Sequence, residues 1–188
     1  MTIFKTSFPC LIFFLLAGCA NFYQHPGDQL FGVDGIACVG NIMPVPAGLS
    51  EVTDTQLLSA AEGEFGKGKL CAGKVFEVQN PVNVYRVWDS TRPYSVFGSW
   101  WSLSYPEENR DSYRKQEDIC PEWSALDRVT TCTLKIGTHI VIGPGQSVVC
   151  EHGIIPQSEV NQVYVPNDGQ NNKIFVDNCN SGIEWPRQ

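Results

Sequence analysis

Apolar positions change their spacing several times along this chain. The opening residues, MTIFKTSFPCLIFFLLAGC, carry one basic side chain, Lys5, and then a continuous apolar run over 8–16. That run is too short to cross a bilayer as a stable helix, and small residues follow it, which is the layout of an export leader. Residues 20–48 lose regular spacing and are rich in Gly, Pro and Asn, which predicts a tether and an irregular arm. In 49–64, LSEVTDTQLLSAAEGE, the apolar residues Val52, Leu57, Leu58 and Ala61 fall on one helical side. Ser50 stands as a candidate N-cap, Thr53 and Asp54 come close behind, and glycines 63, 66 and 68 end the segment, so a helix is predicted over 49–64.

Beyond residue 68 the pattern turns to short runs rich in Val, Ile, Tyr and Trp, divided by Gly, Pro and Asn. Strands are predicted at 74–78, 84–88, 99–103, 128–135, 139–142, 160–165 and 173–176. The polar stretch 107–118 reads equally as helix or loop. One or two N-terminal helices on short, mostly antiparallel strands make an α+β fold. Gly143-Pro144-Gly145 reads as a turn; no Lys-Ser/Thr follows it, so it is not a phosphate loop.

Composition narrows the function. The chain has 188 residues and a formal net charge of −7, and loss of 1–18 removes Lys5 and no acid. Such a balance argues against a broad nucleic-acid surface. Of the eight cysteines, Cys10 falls within the leader and Cys19 directly follows it. Cys38, Cys71, Cys120, Cys132, Cys150 and Cys179 remain, an even set in an exported chain, which predicts disulfides. No Cys-x-x-Cys pair occurs, so no metal site is expected. Six cysteines can pair in many ways; the neighbouring pairs 38–71, 120–132 and 150–179 would each close a moderate loop. His139 sits in a β-branched run and reads as a packed or edge histidine, and His152 beside Glu151 as a solvated loop residue.

Leu16-Ala17-Gly18-Cys19 resembles the bacterial lipobox. The resemblance implies cleavage before Cys19, a lipid on its thiol, and membrane attachment through that anchor; an ordinary signal cut at a nearby small-residue site would instead leave Cys19 free and the chain secreted or periplasmic. Ala20 in place of Asp implies the outer membrane. The chain then divides into a leader (1–18), a lipidated tether and arm (19–48) and one α+β domain (49–188).

Four pieces in order, VYRVWDS (84–90), FGSWWSLSYP (97–106), CPEWSALDRVTTCTLKIGTHIVIGPG (120–145) and VNQVYVP (160–166), resemble the toxin domains of the ADP-ribosyltransferase and NAD-glycohydrolase group found in bacterial polymorphic toxins. The match covers about 82–166 and implies a split β core that binds and cleaves NAD as substrate, with no further cofactor. By this resemblance Arg86 holds the pyrophosphate or ribose, Ser102 supports the nicotinamide end, and Gln162 stands where transferases carry a glutamate. Tyr85, Trp100 and Trp101 would flank the substrate. The Glu-x-Glu pattern is absent, since Val160 precedes Gln162 by two residues. That departure favours water over a protein as the acceptor of ADP-ribose. Read from the residues alone, Arg86 could pair with a ligand or with a carboxylate such as Asp89. Strand alternation sends Trp100 and Trp101 to opposite faces, one into the core and one free to stack on a planar ring. Two functions stay open: an envelope hydrolase or toxin acting on NAD, and a non-catalytic lipoprotein that uses the same scaffold for binding.

Overall fold

The computed structural model describes residues 29–106 and 109–186. The leader, Cys19 and the tether as far as residue 28 lie outside the described residues.

The fold is α+β. Eleven strands are formed among the described residues: β1 (Leu49–Val52), β2 (Lys74–Val78), β3 (Asn83–Trp88), β4 (Trp100–Trp101), β5 (Arg128–Leu134), β6 (His139–Pro144), β7 (Val148–Cys150), β8 (Gly153–Ile155), β9 (Asn161–Tyr164), β10 (Val176–Asp177) and β11 (Ile183–Glu184). Two short α-helices accompany them, α1 (Thr55–Ala61) and α2 (Arg110–Gln116). A five-stranded sheet runs β1-β2-β6-β9-β4. In a second sheet β5 pairs with β3 along one edge and with β10 and β11 along the other. β7 and β8 form a separate hairpin. Every pairing between these strands is antiparallel.

The two sheets share one core. Phe76, Val78, Ile140, Ile142, Val163 and Trp101 of the first meet Val84, Cys132, Leu134 and Val176 of the second. The opposite face of the first sheet, with Val75 and Val141, is covered by Leu57, Leu58 and Ala61 of α1. The opposite face of the second, with Val87 and Val129, is covered by Tyr113 of α2, Leu126 and Trp185. The sheets also touch through backbone: Tyr85 N donates to Ser102 O at 2.9 Å and Ser102 N to Tyr85 O at 2.8 Å.

Several expectations are corrected. The helix predicted over 49–64 is divided. Residues 49–52 pair with β2 instead, and Asp54 rather than Ser50 caps the helix, its carboxylate accepting from Leu57 N at 3.0 Å. A helix started at Ser50 would have left the β2 edge without partners. His139 Nδ1 lies 3.0 Å from the same Asp54 carboxylate, so this histidine braces a helix start. Gly143 and Pro144 are not a turn: they extend β6, opposite Gln162 and Asn161 of β9. A Cβ at Gly143 would overlap the Ala72 carbonyl, which explains the glycine in a strand. The strand predicted at 173–176 begins only at Val176. The second helix lies in mid-chain rather than near the N-terminus.

All six cysteines expected to pair do so, as 38–71, 120–150 and 132–179. The first pair matches the neighbour order, and the other two do not. Cys132 lies inside β5, and β10, which leads into Cys179, is hydrogen-bonded beside it. Cys120 precedes β5 and meets the end of the β7 strand at Cys150. Strand pairing, not distance along the chain, selects the partner.

Candidate functional site

A cleft of about 350 Å³ is lined by β3, the 3-10 turn Pro93–Phe97, β4, the end of α2 and β9. Arg86, Trp100 and Gln162 all line it. Four further aromatic residues, Trp88, Tyr94, Tyr113 and Trp123, share its wall, and Lys67, Lys69 and Arg92 supply positive charge.

Arg86 is held by backbone. Its Nε donates to Ser95 O at 2.7 Å and its Nη1 to Trp100 O. Gly98 lies directly under the guanidinium, where a Cβ would overlap it. Burial pushes the Arg86 pKa down to about 10, still cationic at neutral pH. Asp89 does not pair with it. That carboxylate accepts from Thr91 Oγ1 at 2.6 Å, Thr91 N at 2.9 Å and Ala125 N at 3.2 Å, which holds its pKa below the usual range. Arg86 thus ties β3 to the following turn and to β4, and two of its five N–H groups are engaged in doing so.

The adjacent tryptophans divide as alternation requires. Trp101 is 1% exposed in the inter-sheet core, and its Nε1 donates to Gly98 O at 2.8 Å. Trp100 faces the cleft side and packs on Tyr164 with ring centroids 5.1 Å apart.

Gln162 is 2% exposed, and its Nε2 donates to Asp118 Oδ2 at 2.9 Å. Asp118 is the residue that the sequence reading missed. Helix α2 ends in a Schellman turn, with Ile119 N donating to Arg114 O at 2.9 Å. Asp118 occupies the left-handed position of that turn, φ +52°, where glycine is the usual residue. Its side chain is buried, and Oδ1 has no hydrogen-bond partner. Gly145 backs it, since a Cβ there would overlap the carboxyl. Burial, and then the nearby Glu117, push the Asp118 pKa up to about 9 against the opposing Gln162 hydrogen bond. Glu117, which caps α2, is pushed up to about 8 by burial. Both acids are therefore largely protonated at neutral pH, and the cleft's balance is positive although the chain's is negative. The sequence signal was a non-glycine residue at the end of a short helix, legible only once that helix is known to end there.

Ser102 stands apart. It lines a second cavity, of about 510 Å³, with Ser104, Tyr105, Tyr113 and Glu117. Its Oγ donates to Ser104 O at 2.9 Å and accepts from Ser104 N at 3.1 Å. Tyr85 packs edge-on against Tyr105 with centroids 5.5 Å apart, and it is not part of the Arg86 cleft wall. Tyr113 and Glu117 border both cavities.

No family model matches this chain, and no curated protein or solved structure was found to be similar to it.

Proposed function

We propose that this protein is an exported, lipid-anchored enzyme of the bacterial envelope with an ADP-ribosyltransferase-like split β core, and that it hydrolyses NAD or a related dinucleotide at the nicotinamide–ribose bond. The observation that carries the reading is the convergence of Arg86, Trp100 and Gln162 on one basic, aromatic-walled cleft. A dinucleotide asks for two kinds of contact, planar faces for its rings and cations for its pyrophosphate. Trp88, Tyr94, Trp100 and Trp123 offer the first; Lys67, Lys69, Arg86 and Arg92 offer the second. Ser102 holds the β3–β4 junction in this reading and takes no part in chemistry.

The reaction needs little from the protein. The C1′–N bond breaks with its electron pair going to the pyridinium nitrogen, so nicotinamide leaves neutral and requires no acid. Water adds to C1′ of the oxocarbenium-like ribose and gives up a proton to solvent. Gln162 Oε1, the oxygen opposite the nitrogen that Asp118 engages, accepts from a ribose hydroxyl and orients the sugar.

A second reading, a binding module without catalysis, draws on the depth of Gln162, which is only 2% exposed. Fluorescent etheno-NAD separates the two. The hydrolase reading expects turnover by the wild type, a loss of about a hundredfold in Gln162→Ala, and roughly tenfold weaker binding in Trp100→Ala. Binding without turnover selects the module. Neither binding nor turnover up to millimolar dinucleotide removes both readings of this cleft.

A further inference from the structure

A left-handed residue that closes a helix is ordinarily glycine, because any Cβ is strained there. Asp118 holds that position with a buried carboxyl that has one oxygen unpartnered and the other on Gln162. This arrangement is costly in three ways: backbone strain, removal of an acid from water, and an unsatisfied oxygen. Nothing in the packing of α2 calls for it. Arg114 already secures the segment after the helix by donating to Cys120 O at 3.1 Å and Ser124 O at 2.6 Å, and the Cys120–Cys150 disulfide anchors it to the β7 strand. What the carboxyl alone accomplishes is to fix which end of the Gln162 amide points where.

A free carboxamide can turn over and present either its oxygen or its NH2 group. With Oδ2 facing Nε2 as the acceptor and the proton of the neutral carboxyl carried on the unpartnered Oδ1, that freedom is removed and Oε1 is left as the other pole. Gly145, whose bareness makes room for the Asp118 carboxyl, also lies against Gln162, since a Cβ there would stand 2.8 Å from Nε2. Across the strands, Gly143 of β6 pairs with Gln162. The bare backbone at 143–145, the left-handed turn at 118 and the amide of β9 therefore form one unit.

We infer that Asp118 is a positioning residue that orients the Gln162 carboxamide, so that its oxygen serves a ligand hydroxyl in the cleft. The inference rests on the reading of Gln162 as the ribose-orienting group. Asp118 touches no reacting atom; it acts through Gln162.

Two substitutions test this in the full-length protein. Asp118→Gly suits the left-handed turn, so the fold is kept, but it removes the acceptor. Asp118→Asn retains a carbonyl acceptor for Nε2. With etheno-NAD, Asp118→Gly is expected to lower kcat by about a hundredfold, as misplacement of a catalytic group does, with KM little changed and a thermal midpoint no lower than the wild type's. Asp118→Asn is expected to restore most of kcat. Equal losses in the two variants, or full activity in Asp118→Gly, would overturn the positioning role.

The side-chain amide resonances of Gln162 read the same point without substrate. They should be well dispersed and slow to exchange in the wild type and in Asp118→Asn, and averaged and exchanging with water in Asp118→Gly. If the wild type does not cleave NAD, the hydrolase reading fails and these resonances alone decide the inference. Indistinguishable Gln162 amide signals in all three proteins would overturn it.

Discussion

Arg86 and Gly98 show how one residue type depends on another far from obvious in the chain. Gly98 has φ −68°, which any residue can adopt, so its lack of a side chain is a matter of space rather than backbone freedom. The guanidinium lies where a Cβ would stand. Gly98→Ala is expected to displace Arg86 from the Ser95 and Trp100 carbonyls and to lower stability by about 1–3 kcal/mol, the usual cost of overpacking. Urea unfolding measures this loss, and a midpoint equal to wild type would mean that Arg86 is free to move. The run of residue types gave two partners for this arginine, a ligand or Asp89. The protein partners it uses are main-chain carbonyls, which every residue carries and which no pattern of side chains advertises.

At the scale of elements, the segment after α2 has to be held. Asp118, Cys120 and the turn Pro121–Trp123 fall within six residues of one another, and Trp123 reaches the cleft wall. The Cys120–Cys150 bridge closes a sequence separation of 30 residues. Replacing both cysteines by serine should cost about 2–4 kcal/mol. Because the freed segment carries Trp123 of the cleft wall, the same change should also weaken ligand binding in the cleft, read by calorimetry on the folded variant. A stability loss with unchanged binding would show that Arg114 alone holds the segment. The strand runs around 74–78, 84–88, 128–135 and 139–142 were legible because these strands pack on both faces and each run is rich in β-branched or aromatic residues. The 49–64 helix was overread because LSEV fits the first turn of a helix as well as it fits a strand. The free edge of β2 decides between them, and that edge is a property of the sheet.

For the whole molecule, shifted carboxyl groups fall into two sets with opposite pH effects. Asp34, Asp54, Asp89, Glu122, Asp127 and Asp168 have lowered pKa values in the folded state. Their hydrogen-bonded carboxylates contribute stability above the ordinary carboxylate range that is lost as pH falls through their folded values. Glu117 and Asp118 have folded pKa values raised to about 8 and about 9. The folded state favours their protonated forms, so their contribution is full below the ordinary carboxylate pKa and is lost as pH rises through 8 and 9. Stability should therefore be greatest in the mildly acidic range and decline from there toward pH 9. The alkaline decline should be smaller in Asp118→Asn. Thermal midpoints taken from pH 4 to pH 9 check the sign, and a wild-type midpoint that rises steadily to pH 9 would contradict it.

By itself the sequence determined the class of the fold, the engagement of six cysteines in disulfides and the division of Trp100 from Trp101. Each of these follows from local pattern: strand alternation, turn residues, and an even set of cysteines behind a leader-like segment. Which cysteines join, which residues share the cleft and which stay outside it were decided only by tertiary structure. Arg86 lies on β3, Gln162 on β9 and Asp118 beyond α2, and their meeting depends on how two sheets pack over a common core. Ser102, only two residues after Trp100, is sent to another cavity by the same packing. The raised pKa values of Glu117 and Asp118 belong to that level too, because burial is made by neighbours that are distant in the chain.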